Sequence, residues 1–169
     1  MKKKFFLIPL LVTALGSIWF GPLMGFSIGS TDHPNSTLAG DSGWNLLVYG
    51  SAQDPLSLTF SELVSMPRTT VYAELNCEGA PVDRGYWVGV RLGFLLEKAG
   101  LGEQTRSVQF YATDGYSTML PLSTAIREDV IIAYEKDGNL LSETTRLIIP
   151  NANGSEWISM IAQIKTVNT

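Results

Sequence analysis

Cys77 is the only cysteine among 169 residues. It closes an apolar run and precedes the breaker-rich stretch Glu78–Gly85. A single thiol makes no internal disulfide and no cysteine-rich zinc site. As a thiolate it can attack or bind a soft metal, and as a thiol it can fill space in a core; both readings stand at this point. Glu74, Glu78, Asp83 and Asp114 could be carried near Cys77 by loops as an acidic metal site, although solvated loop carboxylates are the simpler reading. The aromatic pair Tyr86 and Trp87 reads as core packing ahead of ligand stacking. The only histidine, His33, falls in a polar linker, so Cys-His hydrolysis has no support. The zinc-helix, P-loop and dinucleotide glycine patterns are missing as well.

Several elements are needed to position Cys77. Thr69–Cys77 alternates as a strand, with Val71, Ala73, Leu75 and Cys77 on an inward face. Gly79, Pro81 and Gly85 are expected to stop that strand, and Trp87-Val88-Gly89-Val90 to form a turn. Leu92, Leu95, Leu96 and Ala99 recur at helical spacing before Gly100, a natural C-terminal cap. Upstream, Trp44–Tyr49 and Leu56–Thr59 read as strands. Thr59-Phe-Ser-Glu62 is a capping box for a short helix that Pro67 must end. Downstream, strands at Val108–Ala112 and Thr118–Leu120 are joined through Asp114-Gly115. Val130–Tyr134 leads into the turn Lys136–Asn139. Arg146–Ile149 and Ile158–Val167 complete a strand-rich set. With few helices and no βαβ alternation, the expected fold is α+β, a mixed β-sheet domain with few peripheral helices.

The N-terminus has another character. Lys2, Lys3 and Lys4 precede an uncharged run over residues 5–30, long enough to cross a bilayer. The basic flank predicts a cytoplasmic N-terminus with the remainder outside. The run exceeds a usual signal-peptide core and no clear Ala-x-Ala site follows, so an uncleaved anchor is favoured over a cleaved signal. Gly21, Gly25 and Gly29 recur every four residues, the spacing of close helix contacts. Residues 31–43 read as a linker, leaving 44–169 as one domain. Asn35 and Asn153 begin glycosylation sequons that matter only where exported proteins are glycosylated. A net charge of −4 argues against nucleic acid, which needs clustered Lys and Arg.

An ordered motif set points further. Cys77 after a strand is followed by Trp87-x-Gly89-Val90-x-Leu92-x-x-Leu95-Leu96-x-x-Ala99-Gly100, then Asp114-Gly115-Tyr116 and Leu120-Pro121-Leu122. Val130–Tyr134 with Gly138, Arg146-Leu-Ile-Ile-Pro150 and Gly154-x-x-Trp157 complete it. Over about residues 56–167 this resembles the molybdopterin-binding domain of the sulfite oxidase type. The resemblance implies an oxidoreductase of oxygen-atom-transfer type with a molybdenum-bearing pyranopterin, while the chain itself shows no haem motif, so no haem is expected. Cys77 matches the molybdenum-ligating cysteine, Tyr116 the active-site tyrosine, and Arg146 an arginine of the strand before the pterin loop. Arg84 and Asp114 would join Cys77 and Arg146 in holding the cofactor. The substrate implied is a small oxyanion or sulfur compound, and electrons would leave through a separate redox partner.

The sequence also departs from that pattern. Glu78-Gly79-Ala80 stands where an Asn-Arg-Arg run is common, Leu141–Thr145 replaces a His-Gly-Gly-Pro-type loop, and Glu156 replaces a lysine. A phosphate needs cations or backbone N–H groups around it. These departures support the alternative of a cofactor-free binding or assembly module on the same fold.

Overall fold

The computed structural model describes residues 43–77 and 79–168. The expected membrane run, nearly all of the linker with His33 and the Asn35 sequon, and Glu78 lie outside them. Among the described residues no helix is long and apolar enough to cross a membrane.

In chain order the elements are β1 (Asn45–Gly50), β2 (Leu56–Thr59), α1 (Phe60–Ser65), β3 (Arg68–Cys77), β4 (Ala80–Arg91) and α2 (Leu92–Lys98). There follow β5 (Ser107–Ala112), β6 (Ser117–Pro121), α3 (Leu122–Ala125), β7 (Ile131–Lys136), β8 (Asn139–Leu140) and β9 (Arg146–Ile148). A 3-10 turn (Gly154–Glu156) and β10 (Ile161–Val167) close the series. One sheet runs β2-β1-β10-β5-β6, antiparallel except where β1 and β10 lie parallel. The other runs β3-β4-β7-β8, with β9 also against β7, and is antiparallel throughout. This is the α+β arrangement of mixed sheet and small peripheral helices expected from the sequence.

Local chemistry explains the helices and hairpins. Thr59 Oγ1 accepts from the Glu62 N–H at 3.2 Å, and Glu62 Oε2 accepts from the Thr59 N–H at 2.8 Å, so the capping box opens α1. α2 buries Leu92, Leu95 and Leu96 completely, and Gly100 takes a positive φ of 71° just past its end. Gly115 gives the β5–β6 hairpin its tight turn at φ 90°, and Asp114 Oδ1 accepts from the Tyr116 N–H across it at 2.9 Å. In β7, Ile131 to Tyr134 are all buried, the continuous apolar pattern of a strand covered on both faces.

Two expectations are corrected here. Residues 80–91 are not a breaker loop followed by a turn; they form one strand, β4, hydrogen-bonded to β3 along its length. Pro81 sits opposite Asn76 beside a bulge, and β7 pairs only with Trp87 and beyond, so the missing N–H of proline costs little. Gly85 and Gly89 are close-approach positions. A Cβ at 85 would strike the Asp137 carboxylate, and one at 89 the Ile132 carbonyl. The second correction concerns the inward row on β3. Ala73 is buried and Val71 and Leu75 are half-buried, but Cys77 is exposed, because the end of the strand outruns the core that covers its middle.

Candidate functional site

Cys77 meets the 3-10 turn. The bridge between Asn76 and Asn153 brings the end of β3 beside that turn, and a Cβ placed on Gly154 would lie 2.7 Å from Cys77 Sγ. Only glycine leaves the sulfur its space. Asn153 caps the turn through its side chain, with Oδ1 accepting from the Ser155 N–H at 3.1 Å. From the β5–β6 hairpin, the Tyr116 hydroxyl donates to the Ser155 carbonyl at 2.9 Å. Asp114 and Tyr116 then share a cleft of about 330 Å³ with Gly154, Ser155 and Trp157–Met160. Cys77, Asp114 and Tyr116 are thus gathered around one short turn. Glu156 does not line that cleft.

Arg146 lies in a neighbouring groove lined by the Trp87 indole. Trp157 donates Nε1–H to the Ile149 carbonyl at 3.0 Å and meets Trp87 edge to face, with centroids 5.8 Å apart. Over the Trp87 ring stand two cations, Lys136 Nζ at 5.2 Å and Arg146 Cζ at 5.8 Å from the centroid. An indole face attracts both, and each gains from partial burial. Each also has a carboxylate: Lys136 pairs with Asp83, and Arg146 Nη2 with Glu143 Oε1 at 2.9 Å. The open groove, of about 400 Å³, is lined by these residues and by Asn139–Ser142. Arg146 Nε is buried without a hydrogen-bond partner.

Arg84 does not join them. Alternation along β4 puts Asp83, Gly85 and Trp87 on one face and Arg84 and Tyr86 on the other. Arg84 stands on the outer face, opposite Glu74 and beside Tyr72 and Tyr86, which meet edge to face. Lys136 is the functional candidate that sequence reasoning missed, since it looked like a turn residue; its value depends on the β4–β7 register, which sets it opposite Trp87. Trp87 itself is almost fully buried, as core packing requires, yet one ring face carries the two cations. Among the described residues no three of His, Cys, Asp and Glu gather as a metal-binding group, so the acidic site around Cys77 is not formed by them.

The residues present fit a pyranopterin that carries a metal and a phosphate. At the metal end there is an exposed soft donor, Cys77 Sγ, against a position where only glycine leaves it room. At the phosphate end two cations converge on one groove, and an orphaned guanidinium N–H of Arg146 still lacks an acceptor. Asp83 and Glu143 already neutralise those cations, so an incoming phosphate competes with carboxylates.

Comparison with known proteins gives the same direction. Residues 32–169 match the family described as the oxidoreductase molybdopterin binding domain. An uncharacterized oxidoreductase, YuiH, of Bacillus subtilis (strain 168) is 34% identical over 100 residues, covering 59% of this chain and 50% of that protein. The NADH nitrate reductase of Volvox carteri is 28% identical, over 69% of this chain and 18% of its own. The sulfite oxidase of Arabidopsis thaliana is 23% identical, over 73% of this chain and 42% of its own. The crystal structure of the sulfane dehydrogenase SoxCD from Paracoccus pantotrophus shares the fold, with a TM-score of 0.68 at 23% identity, over 75% of this chain and 38% of that one. This chain therefore spans half or less of the length of these relatives.

Proposed function

Because the chain belongs to the oxidoreductase molybdopterin binding domain family, we propose that it is a redox domain holding a molybdenum-bearing pyranopterin through Cys77. The single observation that carries this reading is the exposed Cys77 sulfur facing Gly154, with Tyr116 and Asp114 beside the same turn. When bound, such a group supplies two-electron oxygen-atom transfer, the hard chemical step that a side chain cannot perform.

The chain's own residues bind and orient. Cys77 would supply a thiolate to the metal, with Gly154 of the 3-10 turn close beside its sulfur. Arg146 and Lys136 would hold the phosphate, which would compete there with Glu143 and Asp83. Tyr116 lines the cleft and would have to release the Ser155 carbonyl to donate its O–H to a small oxyanion or sulfur-containing substrate, and Asp114 fixes its backbone through the 2.9 Å hydrogen bond. Residues 1–169, with one cysteine, carry no c-type haem attachment motif and no iron–sulfur ligand set, so electrons would leave this domain for a separate redox centre. Residues 5–30 anchor the chain in a membrane with the domain outside the cytoplasm; extraction of membranes at alkaline pH checks this, since a cleaved or peripheral form would be released.

The test is metal analysis of full-length protein made in a host that synthesises the cofactor. Wild type is expected to carry molybdenum near one per chain, and Cys77→Ser to lose nearly all of it. Metal-free wild type, with Cys77 freely alkylated, would instead favour a binding or assembly module, which the paired state of Lys136 and Arg146 also suits.

A further inference from the structure

The edges of the two sheets are unequal. β2 has four residues and follows Pro55, β6 has five and ends at Pro121, and β8 has two. Among the described residues β3 also forms an edge but has ten residues, without proline and without a bulge before Leu75. Proteins shorten, bulge or block such edges because an open row of N–H and C=O groups pairs with any matching strand. The length of β3 is therefore notable beside three edges that follow the rule.

The backbone of β4 reveals which groups of β3 face outward. Tyr86 accepts from the Asp137 N–H at 2.9 Å and donates its own N–H to Asp137 Oδ1 at 2.9 Å, so both its backbone groups turn away from β3. Its register partner Tyr72 must then turn its N–H and C=O to the outer edge, where a cleft of about 250 Å³ separates Tyr72 and Glu74 from Pro150 and Asn151. By alternation Arg68, Thr70 and Glu74 do the same. Asn76, next in that series, uses this side to reach Asn153, as the alternation requires.

We propose that this edge joins two copies of the chain, paired antiparallel about a two-fold axis at Val71. Arg68 then stands opposite Glu74 of the second copy and Thr70 opposite Tyr72, with the reverse pairs across the axis. Each of these pairs exchanges two N–H···O bonds. Moving the axis to Thr70 sets Arg68 against Tyr72, and moving it to Tyr72 sets Arg68 against Asn76. Only the Val71 axis matches opposite charges. Opposite-charge and aromatic–β-branched pairs are the favoured cross-strand neighbours. Arg68 is free to serve, since its side chain is 62% exposed and touches Glu135 only at 3.4 Å.

The mass of the full-length chain in mild detergent, followed by light scattering through a dilution series, tests the register. Wild type is expected to dimerise. Arg68→Glu and Glu74→Arg should each weaken the dimer about tenfold or more, and the double reversal should restore it. Arg68→Glu also faces Glu135, and Glu74→Arg faces Arg84, so melting is read beside mass. Thr70→Pro is the independent variant: it removes an N–H that faces the edge alone, leaves the β3–β4 bonds in place, and should give a folded monomer. Amide exchange at Thr70 and Tyr72 should slow as concentration rises. A monomeric wild type, single reversals that still dimerise, or a double reversal without rescue overturns the proposal. So does protection of those two amides in a monomer, which would assign the edge to a strand of the same chain.

Discussion

Glu143 occupies the guanidinium of Arg146 from within its own loop, and this contact sets the cost of binding any anion in the groove. Both side chains are only about one-fifth exposed, so the pair is worth more than a solvated surface pair yet is not fully desolvated. Glu143→Gln keeps the shape and removes the competing charge. It is expected to raise the affinity of the groove for inorganic phosphate several-fold, measured by calorimetric titration, with the gain shrinking as salt is added. Unchanged phosphate affinity would mean that Arg146 is not reached by the anion. Cys77 teaches a related lesson at the same scale. Its position at a strand end was visible in the sequence, but its exposure depends on how far β3 outruns the core. No local pattern encodes that. Gly154, by contrast, sits in the Gly-x-x-Trp motif, and its role against the sulfur becomes clear only when residues far apart in sequence are brought together.

At the scale of elements, features controlled by short-range chemistry were legible. The Thr59–Glu62 capping box, the Asp114-Gly115 hairpin, the Lys136–Asn139 turn and the leucine stripe of α2 all form as their residues dictate. The 12 residues of β4 were not legible, because Pro81 and Gly85 are breakers in isolation and are tolerated only through pairing with β3 and the approach of Asp137. α1 gives a sharp test. Hydrogen bonds from Thr59, first from its backbone N–H and then from its hydroxyl, hold the Glu62 carboxyl below its ordinary value of 4.5. A lowered folded value means that the stabilisation is present above the unfolded value and is lost as pH falls through the folded one. Thr59→Ala is expected to cost about 1 kcal/mol at pH 7 in denaturant unfolding. The gap to wild type should narrow below pH 4.5, as the hydroxyl–carboxylate contact weakens, while the backbone N–H contact is common to both proteins. A gap that stays constant down to pH 3 would show that the Thr59 hydroxyl gains nothing from the Glu62 charge.

The whole molecule divides its labour between two sheets. The second sheet supplies Cys77, Trp87, Lys136 and Arg146, while the hairpin of the first supplies Asp114 and Tyr116. The mixed architecture followed from strand-rich patterning without βαβ units; the strand order did not, because pairing between distant segments leaves no periodic trace. β10, the last strand described, lies in the middle of its sheet, parallel to β1 and antiparallel to β5. Until residues 161–167 have been synthesised, β1–β2 and β5–β6 are two separate hairpins with no common partner, and an isolated hairpin is marginal in water. Leu46, Val48, Val108 and Phe110, all fully buried in the finished fold, must wait exposed beside an unfilled gap. Loop closure across more than 110 positions, from Leu47 to Gln163, then precedes any reward from the central pairing. Refolding is therefore expected in the slow range of milliseconds to seconds, with protection of β1 and β5 amides arriving together in pulse-labelling. The nascent chain is most exposed to chaperones and proteases just before β10 emerges.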